Sequence, residues 1–199
     1  MQASEISQLQ TDIRNCQKCH LYKTLPEDST PVFGEGNPNA KLMFIGEAPG
    51  EEEILFNRPF IGPAGRLLDK ILISAGIDRK ECYVSNIIHC RPTVNNKGIK
   101  NRPPSDLEIK FCKKWIWLEI QTLVNLKITV TLGKIATHTL LHQQFPKGFS
   151  ILKIMGDKYK VPYHQSCVVP LPHPSFLLVH GKQHIQKTVE ILKEIKELL

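Results

Sequence analysis

The chain has 199 residues and a hydrophobic content of 41%, which is enough for one α/β domain with its own core. No apolar run is long enough to cross a membrane, and the first residues lack the charged-then-apolar pattern of a signal peptide, so we expect a cytoplasmic protein. The net charge of +7 suits a polyanionic partner, although many basic proteins bind nothing anionic.

The first half of the chain alternates predicted helices with predicted buried strands. Apolar residues spaced three and four apart indicate a helix over residues 4–16, and the polar, proline-rich stretch 23–39 indicates a loop. An apolar run predicts the first strand over 41–46, a helix follows over 63–76, and the second strand covers 81–88.

The second half continues this alternation. Ser105 and Glu108 have the spacing of a capping box, which predicts a helix over 105–124. The expected inward stripe of this helix consists of Leu107, Phe111, Trp115, Leu118 and Thr122. The later elements are a strand over 127–133, a helix over 134–143, a small hairpin around Gly156 and Asp157, a strand over 167–172 and a helix over 182–198.

This alternation predicts a mostly parallel sheet with helices on both faces. We therefore expect an α/β fold, a three-layer α/β/α sandwich with a four-stranded central sheet, in which residues 1–199 form a single domain. Glu47, Asn86 and His173 lie at or just beyond the carboxyl ends of three predicted strands. Ligands bind at that edge of open α/β sheets, so these residues are expected to share a site.

The stretch from Gly46 to Gly65 combines glycines, prolines, three consecutive glutamates and an aromatic ring. A glutamate run alone is usually a solvated loop. Here Phe60 stands between Pro59 and Gly62, and an apolar ring held between rigid residues favours a binding surface over a solvated loop.

The chain contains six cysteines, and a spaced set of reduced thiols indicates a metal site before disulfides. Cys16 and Cys19 have the spacing that lets both sulfurs face one centre, and Cys90 and Cys112 are the candidates that would complete it. Four thiolates suit zinc or an iron–sulfur cluster, whereas isolated buried thiols are the alternative. The other two cysteines lie in apolar strands and are expected in the core: Cys82 and Cys167.

Four short motifs follow one another along the chain. They are Gly46-Glu47-Ala48-Pro49-Gly50, then Arg58-Pro59-Phe60-Ile61-Gly62 with Ala64-Gly65, then Ser85-Asn86 leading to Cys90-Arg91-Pro92, and finally His173-Pro174-Ser175. With these motifs the chain resembles the uracil-DNA glycosylase superfamily, specifically the iron–sulfur-containing family 4, over residues 10–195. The resemblance implies removal of uracil from DNA to leave an abasic site, which initiates base excision repair. It also implies a structural [4Fe–4S] cluster on Cys16, Cys19, Cys90 and Cys112.

The chain departs from the family pattern in two places. Ile54 stands where the family often has Asp, and the segment between Cys90 and Cys112 is longer than usual by Asn95 to Lys100. A related branch, with Gln at the position of Ala48, traps the sugar covalently on a histidine of this loop. The loop contains no histidine here, which favours turnover over trapping.

The resemblance assigns roles in recognition of the base. An extruded uracil would stack on Phe60, and Asn86 would donate to its O4 and accept from N3–H. His173 would donate to the charge that develops on the base, beside the backbone N–H groups of Glu47 and Ala48. From the residues alone, Asn86 could equally be a capping residue at a strand end, whereas a core role for Phe60 is the less favoured alternative because of its rigid neighbours.

A carboxylate must then orient water and offset the cationic sugar. Glu47 and Glu53 are the candidates by motif position, and Glu53 is preferred. Apolar residues after His173 are expected to fill the gap that the base leaves, with Leu177 the most exposed, although all of them could be core: Phe176, Leu177 and Leu178. DNA phosphates would meet Lys97, Lys100, Arg102 and Ser175, which predicts a steep salt dependence of binding.

Two other functions fit parts of the sequence. A protein of the same fold could recognise uracil in DNA without turnover, or dock on a replication or repair protein. A zinc-stapled nucleotide-binding protein is the third possibility, but the chain has no Gly-x-x-x-x-Gly-Lys phosphate loop. The expected partner is uracil-containing DNA, and the expected oligomeric state is a monomer.

Overall fold

Six strands form one sheet in a computed structural model of the chain, which describes residues 2–96, 100–141, 144–145, 148–161 and 164–199. The strands are β1 (Glu35–Gly36), β2 (Leu42–Gly46), β3 (Tyr83–Asn86), β4 (Ile128–Leu132), β5 (Tyr159–Val161) and β6 (His164–Leu171). Their order in the sheet is β1-β3-β2-β4-β6-β5. The four central strands are parallel, which confirms the predicted α/β fold, and the two edge strands are antiparallel to their neighbours.

The two edge strands were not predicted from the sequence. β1 has two residues, too few for an alternating pattern, and it lies inside the predicted loop 23–39. The hairpin is formed by β5 and β6, so its connection follows Val161 and not Gly156, and residues 162–163 lie outside the described part of the chain. Gly156 instead has a φ of 91° in the turn before β5, a backbone conformation that favours glycine.

Helices cover both faces of the sheet. The described helices are α1 (Gln2–Arg14), α2 (Glu51–Phe56), α3 (Pro63–Ser74), α4 (Asp106–Thr122), α5 (Lys134–Leu141), α6 (Ile151–Ile154), α7 (Pro174–Val179) and α8 (Ile185–Glu197). Short 3₁₀ turns occupy His20–Thr24, Arg79–Glu81, Val94–Asn96 and Lys182–His184. Sequence periodicity missed α2, α6 and α7 because helices of four to six residues are too short to show it.

Alternating residues of β2 contribute to the two hydrophobic cores that flank the sheet, and a smaller third cluster lies between α1 and α4. Leu42 and Phe44 belong to a core that α3 and α8 complete with residues such as Leu68 and Leu192. Met43 and Ile45 point to the opposite face, where buried residues of α4 and α5 cover them. This division is the expected three-layer α/β/α arrangement.

The inward face of α4 differs from the prediction. Trp115 is buried as expected, but Leu107, Phe111 and Leu118 are 57%, 40% and 40% exposed. The helix instead turns a polar and apolar mixture inward, and the buried residues are Glu108, Trp115, Ile116, Glu119 and Ile120. Apolar counting failed because both glutamates have hydrogen-bond partners that offset the cost of their burial.

Glu119 shows how such a residue is accommodated. Its carboxylate accepts hydrogen bonds from Tyr83 Oη at 3.0 Å and Ser85 Oγ at 3.1 Å, so it ties α4 to β3.

No helix among the described residues is long and apolar enough to span a membrane.

Candidate active site

A groove of about 1320 Å³ opens at the carboxyl ends of the central parallel strands. Glu47 follows β2, Asn86 ends β3, and His173 follows β6, so the parallel strands deliver all three to one edge. Phe60, on the loop between α2 and α3, lines the same groove. Four loop segments that are distant in sequence therefore surround one cavity.

Gly46 creates the narrow part of this groove. It is the last residue of β2 and lies opposite Asn86 in the parallel ladder. A β-carbon at this position would collide with the Phe60 ring and with Asn86 Oδ1. Glycine is therefore required here so that the ring and the amide can approach each other across the strand end.

Phe60 has a strained backbone, with a φ of 54° in the left-handed region. This conformation is rare for a bulky residue and is concentrated at functional sites. The ring is 5% exposed, and its centroid lies 6.0 Å from that of the His173 ring with 36° between the two planes. Both rings line the groove, with the Phe60 ring beside Gly46 and the His173 side chain beside Gly133.

Glu53 is occupied by the backbone of its own loop. The carboxylate accepts hydrogen bonds from the N–H groups of Gly50 at 3.0 Å, Ile61 at 3.0 Å and Gly62 at 2.7 Å. Only 8% of the residue is exposed. These contacts favour a role in holding the Phe60 loop over the water-orienting role that the sequence suggested for Glu53.

Glu47, the other candidate carboxylate, has no such bonds to the described part of the chain. It lines the groove, and burial raises the pKa of its carboxyl from the ordinary 4.5 to about 7. Its backbone carbonyl accepts the N–H of Ile88 at 3.2 Å, which fixes the loop after β2 against the end of β3. A carboxyl with a pKa near neutrality suits proton transfer or the orientation of water.

Asn86 presents an unpaired acceptor to the groove. The residue is 2% exposed, and its Oδ1 has no hydrogen-bond partner among the described residues. Buried polar atoms without a partner are rare, because each one costs free energy in the folded protein. An acceptor held in this state is suited to a ligand that brings an N–H group.

His173 is held as a neutral donor. Its Nδ1 accepts the backbone N–H of Ser175 at 3.1 Å and lies 2.8 Å from Ser175 Oγ. Since Nδ1 accepts, the proton of the neutral ring is on Nε2. Desolvation by burial lowers the pKa of His173 to about 4, so the ring is uncharged near pH 7.

The residues after His173 form α7, and this corrects the prediction for Leu177. A helix turns Leu177 inward, where it is fully buried in the core beside α3 and α8. Phe176 is partly buried, and its ring lies 6.2 Å from that of His180. Leu178 and Val179 are 37% and 69% exposed and line the groove together with Phe176, so these three residues of the segment can reach a ligand.

The predicted phosphate contacts divide into two kinds. Lys100 and Ser175 are exposed on the groove, although Ser175 already bonds His173. Arg102, by contrast, donates to both oxygens of Glu108 at 2.7 and 2.8 Å and to the carbonyl of Thr93 at 3.1 Å. Its guanidinium is thus committed to the fold, which counts against a phosphate contact. Lys97 lies outside the described residues.

Glu108 is the partner that holds Arg102 in place. Burial by itself would raise the pKa of Glu108, but hydrogen bonds from Arg102 and Ser105 outweigh it and bring the pKa to about 2. Glu108 also accepts the backbone N–H of Ser105 at 2.7 Å, which confirms the predicted capping box. The pair therefore fastens the end of the loop 93–104 to the start of α4.

Four cysteines line a second, small cavity of about 20 Å³: Cys16, Cys19, Cys90 and Cys112. Burial and the neighbouring thiols raise the pKa of Cys112 to about 12 and that of Cys90 further. Trp115 Nε1 donates to Cys16 Sγ at 3.3 Å and closes one side. Within the part of the chain that the structure describes, no group of three potential ligands has the arrangement to hold a single metal ion.

The donor set nevertheless fits an iron–sulfur cluster. Each iron of a four-iron cluster takes one thiolate, so the four sulfurs need to surround a common space and not a single ion. Thiols that raise one another's pKa in an apolar cavity gain from a bound cation. The two other cysteines belong to the core on the α3–α8 face, as predicted: Cys82 and Cys167.

Comparisons with known proteins agree with this geometry. The sequence matches the family profile described as the uracil DNA glycosylase superfamily over residues 33–196. A type-4 uracil-DNA glycosylase of Saccharolobus solfataricus is 34% identical over 192 residues, covering 94% of this chain and 83% of that protein. One of Thermotoga maritima is 33% identical over 179 residues, covering 89% and 85% of the two chains.

The solved structures add a likeness of fold. The crystal structure of Pedobacter heparinus SMUG2 aligns with a TM-score of 0.57, over 99% of this chain and 97% of that chain, at 14% identity. At so low an identity the alignment speaks for the fold alone. The profile match over residues 33–196 and the 34% identity to a type-4 enzyme show the family as well as the fold. The chain therefore belongs to the uracil-DNA glycosylase superfamily and, within it, to the type-4 uracil-DNA glycosylases.

Proposed function

We infer that this protein hydrolyses the N-glycosidic bond of deoxyuridine in DNA, releasing uracil and leaving an abasic site for base excision repair. The observation that carries this inference is the buried, unpartnered Asn86 Oδ1 in a slot between Phe60 and His173. The slot is lined by one flat ring, one amide and one neutral imidazole. These groups match the face, the N3–H/O4 edge and the O2 atom of uracil.

Uracil is selected by the amide of Asn86. Its Oδ1 accepts from N3–H of the base, and its Nδ2 donates to O4. Cytosine presents the opposite pattern, which would leave buried polar groups unpaired on both partners. The base enters the slot after it leaves the DNA stack, at a cost of a few kcal/mol, and stacking on Phe60 offsets part of that cost.

Bond cleavage places negative charge on O2 and N1 of the base. His173 Nε2–H donates to O2, and because the pKa of the ring is about 4, the donor is neutral and needs no proton from solvent at pH 7. One preorganised donor of this kind contributes about 3 kcal/mol to transition-state stabilisation. The bond from Ser175 N–H to Nδ1 keeps the ring in the donating tautomer.

We assign the carboxylate that orients water to Glu47 and not to Glu53. Both glutamates line the groove, but Glu53 already accepts three backbone N–H bonds, whereas the Glu47 carboxyl has no such bond and its pKa is about 7. Ionised Glu47 also offsets the positive charge that builds up on the sugar. Glu53 then acts by holding the loop that carries Phe60.

Cys16, Cys19, Cys90 and Cys112 would hold a [4Fe–4S] cluster. When bound, this group supplies a cross-link and no step of the hydrolysis. The cross-link joins the segment after α1, the loop after β3 and α4. It fixes the start of the loop that ends at Arg102, and therefore one wall of the groove.

The test is excision from a labelled oligonucleotide with a single uracil, followed by alkali to cleave abasic sites. Strand cleavage is expected with uracil and not with thymine at the same position. Asn86→Asp, which has the same shape but lacks the amide donor, should lower the single-turnover rate by about a hundredfold or more. An intact strand after incubation with the wild-type protein would refute turnover, and a covalent protein–DNA band would indicate trapping.

A further inference from the structure

The left-handed backbone conformation of Phe60 must be stabilised by other residues, because relaxation to φ < 0 would move the ring out of the slot. The loop lies between α2 and α3 and has little regular structure of its own. Its N–H groups on the far side of the ring, from Ile61 and Gly62, are taken by Glu53. The carbonyl of Ile61 accepts a hydrogen bond from Arg66, whereas those of Pro59 and Phe60 accept from a residue outside all four family motifs.

That residue is Arg79, on the 3₁₀ turn Arg79–Glu81 that precedes β3. Its Nη2 donates to the carbonyl oxygen of Pro59 at 2.9 Å, and its Nη1 donates to that of Phe60 at 3.1 Å. Nη1 also donates to Asp69 Oδ1 on α3 at 2.8 Å, and the Arg79 side chain is 22% exposed. The guanidinium thus bridges both carbonyls that flank the φ rotation of Phe60.

Arg79 acts on this loop from behind. It is absent from the residues that line the groove, which places it to act through the loop that carries Phe60. Its planar fork suits two neighbouring carbonyl oxygens in a way that a single ammonium does not. Gly65 completes the clamp, because any side chain there would collide with the Phe60 carbonyl.

We propose that Arg79, oriented by Asp69, is a positioning residue for excision, which holds Phe60 in its left-handed conformation so that the ring meets the extruded uracil. The proposal rests on the proposed function, since it deepens the role of Phe60 in that site. The alternative is an ordinary surface ion pair that contributes a little stability and nothing to catalysis.

The experiment is a double-mutant cycle on single-turnover excision of uracil. Arg79→Met should slow excision by about 10- to 100-fold, since misplacement of a substrate-positioning group by about 1 Å has an effect of this size. In a Phe60→Ala background, Arg79→Met should lower the excision rate by less than about twofold, because the ring through which Arg79 acts is already absent. Arg79→Lys, with one donor group, should fall between Arg79→Met and wild type.

Arg58→Met is the matched control. Arg58 lies two residues before Phe60 and pairs with Glu35 through two contacts of 2.7 Å, but it forms no hydrogen bond to the carbonyls of Pro59 or Phe60. Its excision rate should stay within about twofold of wild type, while it loses an ion pair of the same kind. Circular dichroism of every variant establishes that it is folded.

Three results would overturn the proposal. Arg79→Met could excise at the wild-type rate, or its cost could be the same with and without the Phe60 ring, or Arg58→Met could slow excision as much. If Arg79→Met does not fold, Arg79→Lys and Asp69→Asn replace it in the same cycle, with the same criterion. A wild-type protein that leaves uracil in place would refute the proposed function itself, whereas the three results above leave that function standing.

Discussion

Replacing Glu47 with Gln should make the folded protein more stable at alkaline pH and slow its excision of uracil by about a hundredfold. Burial raises the pKa of Glu47 from 4.5 to about 7, so the folded state binds this proton more tightly than the unfolded state does. The associated stability is fully present below about pH 4.5 and is lost as the pH rises through about 7. Gln cannot ionise and therefore keeps that stability at every pH.

The shift fixes the size of the effect. The difference between 4.5 and about 7 corresponds to about 3 kcal/mol at alkaline pH, at about 1.4 kcal/mol for each pKa unit. At pH 5 less than about 1 kcal/mol of it has developed. For a chain of this size Glu47→Gln should raise Tm by about 6–12 °C at pH 8.5, and by less than about 4 °C at pH 5.

The assay compares Tm of both holoproteins by circular dichroism at the two pH values. Glu51→Gln is the control, because Glu51 is 65% exposed and its 3.3 Å contact with Arg91 lies at the surface. Single-turnover excision by the wild type should rise with pH and level off above about 7, and Glu47→Gln should be slower by about a hundredfold. A Tm difference that is equal at both pH values, or a wild type that is the more stable at pH 8.5, would refute the assignment of a partly buried, ionisable Glu47.

The other predictions concern the cysteines and α7. Cys112→Ser should lose bound iron and lower Tm, measured by iron content and thermal unfolding, whereas Cys167→Ser, whose side chain lies in the other core, should keep its iron. Leu178→Ala should slow excision from duplex DNA by about tenfold with little change in Tm, since Leu178 is 37% exposed on the groove. Leu177→Ala should do the reverse and destabilise the fold by about 2–5 kcal/mol, because Leu177 is fully buried.

The convergence of Glu47, Asn86 and His173 could be predicted because it depends on connectivity. Apolar runs located the four parallel strands, and parallel strands separated by helices must end at the same edge of the sheet. Polar residues that follow three of these runs must then be neighbours, whatever the details of packing. The groove that they share follows from this one rule.

Side-chain direction within short or mixed helices could not be predicted in this way. α7 has six residues, so nothing in the sequence separates a helix that buries Leu177 from a loop that exposes it. In α4 the buried positions of Glu108 and Glu119 depend on partners up to 36 residues away, such as Tyr83. An apolar count assigns such positions to solvent, and it did so here.

The charges around the groove show the same dependence on partners, and they change the expectation for DNA binding. Three arginines near the groove are each neutralised by a glutamate: Arg66 by Glu52, Arg91 by Glu51 and Arg102 by Glu108. The net charge of +7 thus overstates what the groove offers to phosphates. Each phosphate contact adds only about 0.9 to the salt exponent of binding, so the steep dependence expected from the sequence should become shallow. Affinity would then come mainly from the extruded base in its slot, where Phe60, Asn86 and His173 lie, and the rejection of cytosine would follow from the Asn86 amide.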